Sequence, residues 1–258
     1  MQNNLRGALS GFPSGKQPWL RLVAWTMFSL LLGALGGCAS PSGGHTPGKP
    51  FEGNQLLQSD SGRFATLAMR DNLDALAVLL DKLYRRNPQM WRKAPAESRE
   101  AAVAQVVAAI AQHQALPGTG GVRDIAAVRL AFEPNFEGDR AGTLIYGLGT
   151  MLITAHGEKV TFYLTDTLND EHLYNAARNV EIAVWLLNTK QDAQNQAMLL
   201  ANGQGNDGLN VSFEREFGKI IARLDLLAVA QNEKYRRAGI NLLQNLMGGQ
   251  LFQFLPVR

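Results

Sequence analysis

The chain has 258 residues, is 46% apolar and carries a formal net charge of +3. Its first 37 residues read as a removable export signal, and removing them leaves 221, one ordinary domain that can bury roughly 70% of the surface its unfolded chain exposes. Arg6, Lys16 and Arg21 lie in that signal with no acid, so the mature chain has 22 basic and 22 acidic residues and no net charge. That excludes a global electrostatic case for nucleic acid or for an anionic membrane.

The amino terminus holds the most specific motif. Leu22 to Ala34 is an almost unbroken apolar stretch behind three cations, and at 13 residues it falls short of the ~20 needed for a membrane span. Leu35-Gly36-Gly37-Cys38 follows, and Cys38 is the only cysteine in the chain, so no internal disulfide can form. This run resembles the lipobox of bacterial lipoproteins: an apolar residue, two small residues that let the backbone enter a peptidase cleft, and the cysteine that takes the lipid. The resemblance implies three acyl chains on Cys38, enough to hold a protein on a bilayer where one would not. Ala39 stands where many inner-membrane members of the class carry aspartate, so the expected address is the periplasmic face of an outer membrane.

Residues 38–62 comprise the cysteine and a Gly/Pro/Ser-rich tether, with Pro41-Ser42-Gly43-Gly44 and Pro47-Gly48-Lys49-Pro50. As a coil of about 5–6 Å × √n, it sets the domain ~25–30 Å from the bilayer. Residues 63–258 are predicted to form a single, mainly α domain of five or six helices. Met69, Leu73, Leu76, Leu80 and Leu83 recur at helical spacing until Pro88. A second helix starts near Glu97-Ser98, carries Val103, Val106, Val107 and Ile110, and runs to Leu116-Pro117-Gly118. Leu173, Ala176, Ala177, Val180, Ala183, Val184 and Leu187 define a third, with Thr167, Asn169 and Asp170 as capping candidates. Ile182, Trp185 and Leu186 give it a second apolar face, which predicts a central position. Phe213, Phe217, Ile220, Ile221, Leu224, Leu227 and Ala228 mark a fourth, and Tyr235, Leu242, Leu243 and Leu246 a fifth that ends at Gly248-Gly249.

Residues 138–166 admit two readings. As a helix, Ala141 to Ala155 has no charge, places Gly142 and Gly149 on one face for close approach, and ends at His156-Gly157. As strands, Met151–Ala155 and Lys159–Leu164 form a hairpin around His156-Gly157-Glu158. A buried helix followed by a short extended segment is preferred, with at most a small β element near residues 150–165.

Most candidate chemistry has a plainer explanation. Gly203-Gln204-Gly205-Asn206-Asp207-Gly208 has dinucleotide-fingerprint spacing but no strand feeding it. As a calcium loop it lacks oxygen-bearing side chains at its first and third places. An interhelical loop with room for a binding role accounts for it. His113 sits at a helix end, where a packed histidine is the ordinary outcome. His156 and His172 flank Glu158, Asp166, Asp170 and Glu171 without the i, i+4 spacing of a helical zinc site. No metal or other cofactor is expected. Ala96-Glu97-Ser98 resembles the catalytic Glu-Ser of lytic transglycosylases over two or three residues, but the expected Gly-Leu-Met-Gln-like element is absent 15 residues later, and Gly147-Leu148-Gly149-Thr150 comes 50 residues on. Glu97 and Ser98 read more simply as a helix start.

The strongest surface candidate is Lys82 to Lys93, with five cations and two aromatics in 12 residues. Arg85, Arg86, Trp91, Arg92 and Lys93 could grip phosphates of lipid or carboxylates of cell wall or a protein partner, although cations also belong in a last helical turn. The expectation is a non-enzymatic, outer-membrane-tethered binding or assembly module for an envelope component. The alternatives are a carrier of a hydrophobic ligand, with residues 141–155 as cavity wall, or a peptidoglycan-active enzyme.

Overall fold

The computed structural model describes Gly53, residues 57–205 and residues 208–252. The stretch expected to be an export signal, the Leu35-Gly36-Gly37-Cys38 run and most of the segment expected to be a tether lie outside these residues. The domain is mainly α: α1 (Asp60–Arg86), α2 (Pro88–Trp91), α3 (Arg99–Ala111), α4 (Asp124–Ala131), α5 (Arg140–Ala155), α6 (Asp170–Thr189) and α7 (Ser212–Phe252). Six of these are longer than a single turn.

Short polar side chains start four of them, as oxygen acceptors for first-turn amides. Ser59 accepts from Gly62 N at 3.0 Å, Ser98 from Ala101 N at 3.1 Å, Asp139 from Gly142 N at 2.9 Å and Asn169 from His172 N at 3.0 Å. Helical structure therefore begins at Asp60, inside the segment expected to be tether. α3 stops at Ala111, five residues short of the sequence-based end. Ala102, Val106, Ala109 and Ile110 form its buried stripe, while Val107 is exposed.

The long helices alternate in direction. Tyr84 near the end of α1 meets Asp139 at the start of α5, whereas Phe162, just beyond α5, donates its amide to Thr66 near the start of α1. α7 runs antiparallel to α1, from Phe213 beside Lys82 through Arg223 on Asn72 to Lys234 at Ser61. α6 opposes α7 through Asn188–Glu214 and Arg178–Asp225. One pole thus gathers the start of α1, the end of α5 and the start of α6, and the other their opposite ends. α1 has 27 residues, so the poles are about 40 Å apart.

Residues 141–155 form a buried helix, as preferred from the sequence, and α5 is also the central element. Every residue from Ala141 to Ile153 is buried, and α5 packs on α1, α2, α3, α4 and α6. Its closest approach uses Gly147: a Cβ there would lie 2.7 Å from the backbone nitrogen of Val128 and 2.8 Å from the carbonyl oxygen of Asp124. Gly149 faces the Ile110 side chain, and Gly142 makes room for Tyr84 and Asp139. His156 and Gly157 end the helix. Gly157 is left-handed (φ 71°), and the Glu158 amide donates back to Ile153 O at 3.0 Å.

α6 is peripheral, contrary to the central position its two apolar faces suggested. Leu173, Ala176, Ala177, Val180, Ala183 and Leu187 are buried, but Ile182 and Trp185 are 54% and 62% exposed. α7 is one helix of 41 residues where the sequence suggested two; Ala230 to Lys234 contains no glycine or proline to break it. The small β element lies at 203–210 and not near 150–165. Strands β1 (Gly203–Gly205) and β2 (Gly208–Asn210) pair antiparallel, with Gly203 opposite Asn210.

Candidate functional site

The basic-aromatic segment sits at the pole where α1 ends. Asn87 determines its course. The side chain, 1% exposed, donates Nδ2–H to Leu83 O (2.8 Å) and Leu200 O (2.9 Å), while its Oδ1 accepts from Leu200 N (2.8 Å). It caps α1 and staples the 190–202 connection to the helix junction. Pro88 then opens α2, where its lack of N–H costs nothing. Asn87→Ala is expected to destabilise the domain by about 2 kcal/mol, the cost of stranding several buried polar groups. It should also speed amide exchange selectively in residues 190–202, measured by hydrogen exchange.

The five sequence candidates do not form one patch. Arg85 is ion-paired to Asp81 at 2.8 Å, and Asp81 also holds Arg99 at 2.9 Å. Arg85 and Trp91 line an open groove of about 390 Å³ with Tyr84, Pro88, Glu97, Ser98, Arg99 and Glu100. Its rim therefore carries both signs of charge. Trp91 packs one side on the core, and the Arg92 guanidinium lies 5.4 Å from its ring centroid. Arg86 points elsewhere: one of its nitrogens lies 3.2 Å from where a Cβ of Gly203 would stand, beside β1. Lys93 lines a small recess with Asp139. Lys82 lies over the Phe213 ring at 4.7 Å, and partial burial lowers its pKa.

Beneath the segment, Tyr84 O–H donates to Asp139 Oδ2 at 2.5 Å while Asp139 Oδ1 caps α5. Burial pushes the Asp139 carboxyl above the usual aspartate range against the hydrogen bonds it accepts, and it pushes the Tyr84 phenol up as well. His156, at the far end of α5, is 1% exposed. It donates Nδ1–H to Leu152 O at 2.7 Å and has no partner for Nε2 among the described residues. Burial lowers its pKa.

These two groups titrate with opposite consequences. The depressed pKa of His156 gives stability that is present above its ordinary ~6.5 and lost as pH falls towards the folded value. The raised pKa of Asp139 gives stability that is present below its ordinary ~3.9 and lost as pH rises through the folded value. Acidification below about pH 6.5 should therefore shrink the stability advantage of the native chain over His156→Phe. It should enlarge the advantage over Asp139→Asn, with chemical denaturation at several pH values as the measurement.

A second polar constellation escaped the sequence. His113, Asp124 and Glu158 all adopt left-handed backbone (φ 54°, 55° and 60°), uncommon for residues with side chains, and they meet at the ends of α3 and α5 and the start of α4. Arg123 donates to Thr154 at 3.1 Å and Glu158 at 3.1 Å. Thr154 donates to Asp124 at 3.0 Å, and His113 Nδ1 lies 3.4 Å from Glu158. Burial would raise the Glu158 pKa, but the bonds from Thr154 and Arg123 prevail and hold it below the glutamate range. These groups satisfy one another, which makes the cluster a clasp between three helices. Nothing in the local sequence announces it, since its members are spread from 113 to 158.

Glu97 is exposed at the groove rim, one residue before the Ser98 cap. His156 is buried while His172 is exposed, so the acidic stretch between them does not gather around a histidine pair. Among the described residues no group of three His, Cys, Asp or Glu side chains could hold a metal ion, and no helix is long and apolar enough to cross a membrane. Compared with known proteins, the chain matches no family model, no curated protein and no solved structure.

Proposed function

We propose that the protein is a lipoprotein tethered to the outer membrane through acylated Cys38, whose helical domain serves in the periplasm as a non-enzymatic binding or assembly module for another envelope component. The observation that carries this reading is the apolar stretch Leu22–Ala34 followed by Leu35-Gly36-Gly37-Cys38, with Cys38 the only cysteine. The helix-junction pole supports a binding role. Arg92 stacked on Trp91 is a preorganised cation beside an aromatic face, suited to a carboxylate or phosphate on the partner. Arg86, Arg92 and Lys93 make no ion pair among the described residues, whereas Arg85 is ion-paired to Asp81. Arg92 and Lys93 are the main contributors, with Arg86 reaching a partner only along β1.

The test is crosslinking in intact cells, with mass spectrometry of what is captured by the native protein and by an Arg85/Arg86/Arg92/Lys93→Ala variant. A discrete envelope protein captured by the native chain and lost from the variant is the expected result. Capture of glycan or lipid alone, unchanged in the variant, overturns it. The helix that a hydrophobic-ligand carrier would use as its cavity wall is packed against five neighbours, so the observations do not favour that alternative.

A further inference from the structure

α7 outruns the helices it packs against. Lys234 lies level with Ser61 at the start of α1, and counting eight residues on from the Arg178–Asp225 pair puts Asp170, where α6 begins, level with Glu233. α7 nevertheless continues to Phe252, 18 residues beyond Lys234, or about 27 Å. Up to that level its inner face carries Phe217, Ile220, Leu224 and Leu227, all buried against the bundle. At about 100° per residue, Tyr235, Leu242 and Leu246 prolong the same face. The stripe that builds the core thus goes on where neither α1 nor α6 accompanies it.

The pole from which this end projects is itself apolar. Leu164 N–H donates to Leu57 O at 3.0 Å and Phe162 N–H to Thr66 at 3.0 Å, which gathers Leu57 (62% exposed), Leu164 (63%) and Phe64 (45%) at the surface. An open hollow of about 540 Å³ between the start of α1 and α7 adjoins them, lined by Phe64, Leu227, Ala230 and Lys234 among others.

We propose that a second copy of the chain covers both features, the two outgoing ends of α7 lying side by side and antiparallel about a two-fold axis near Leu243. Lys234 and Phe252 stand nine residues to either side of Leu243, so each tip reaches the other copy's pole. A two-fold contact uses the same surface on both partners, and this one covers the prolonged inner face and the apolar pole together. Charge decides the occupant and its direction. No residue from Ala238 to Val257 is charged, so two such segments meet without like-charge repulsion and give a charged partner no counter-charge to pair with. Arg236 and Arg237 share the single carboxylate of Glu233. Parallel pairing would set these cations against their counterparts, whereas antiparallel pairing holds the two sets about 20 Å apart. The proposal is independent of the lipid anchor.

The test uses the full chain with Cys38→Ser in mild detergent, so that no acyl group drives association, and adds Val229→Cys as the site of a nitroxide. Light scattering should give twice the 28.1 kDa chain mass. Electron spin resonance should place the two labels about 42 Å apart along the paired helices, the rise of fourteen residues on either side of the axis. A monomer overturns the proposal, as does a separation of about 10 Å, the spacing of parallel neighbours in register. Leu242→Glu/Leu246→Glu sets charge on the face that lies outside the bundle. It should give a monomer whose near-ultraviolet circular dichroism is unchanged. A dimer that persists in this variant lies on another surface and overturns the proposal.

Discussion

Gly147→Ala should lower the stability of the domain by about 2 kcal/mol, the net of two opposed terms. Alanine is the better helix former, by about 1 kcal/mol, so the substitution would stabilise an isolated α5. In the fold, the added methyl would stand 2.7 Å from Val128 N and 2.8 Å from Asp124 O, both backbone atoms of α4 or its first turn. Neither can rotate away. α4 must shift as a body, and overpacking of that kind costs up to about 3 kcal/mol. For a domain of this size the net loss corresponds to a fall in melting temperature of about 4–8 °C. Gly218→Ala is the control, because a Cβ there meets nothing within 4 Å on the exposed side of α7, and it should gain about 1 kcal/mol. Urea unfolding of both variants decides the matter. Equal and positive changes would mean that α4 does not press on α5 as described.

Cys38→Ser should release the protein from membranes while leaving the domain folded. The thiol is the group that forms a thioether with a diacylglyceryl moiety, and serine cannot replace it. Each buried methylene of an acyl chain contributes about 0.8 kcal/mol of membrane affinity, so losing the chains shifts partitioning by many orders of magnitude. Retention of the leader in the variant would confuse the readout, so the fractionation should be paired with the mass of the mature chain. The wild type should sediment with membranes and carry acyl mass on its first residue. Full membrane retention of a processed Cys38→Ser chain would refute the anchor. The helical domain gives the second readout: its circular dichroism and melting temperature should not change, since α1 begins at Asp60, well beyond the altered residue.

Much of the helical layout was legible from spacing alone. Met69, Leu76, Leu80 and Leu83 in α1 and the Leu173–Leu187 stripe in α6 are buried as their periodicity requires, because burying one stripe is the only way such a sequence can fold as a helix. Capping oxygens likewise located the start of α6, where Asn169 is the cap. The ranking of helices failed for a definite reason. Ile182 and Trp185 gave α6 an apolar second face, but periodicity does not say whether a second face is covered, and among the described residues these two side chains stay exposed. α5 wins the centre because Gly142, Gly147 and Gly149 let other elements approach where longer side chains would hold them off.

The candidate site divides in the same way. Residue type and local order singled out Arg85, Arg86, Trp91, Arg92 and Lys93, and they do lie around one helix junction. What they face was decided by the fold: each residue on a helix turns by about 100°, so adjacent Arg85 and Arg86 serve different surfaces. Asp81, one turn back on α1, ion-pairs with Arg85, and the packing of α3 on α1 brings Arg99 to the same carboxylate. Asn87, the staple, and the clasp of His113, Arg123, Asp124, Thr154 and Glu158 join residues up to 113 positions apart, a distance that no periodic pattern spans. By itself the sequence determined the mainly α class and which stripe of each helix is apolar, since these depend on the order of neighbouring residues. Tertiary structure alone decided which helix is central, where the basic segment points and that apolar side chains gather at the opposite pole, since these depend on which distant surfaces the packed helices cover.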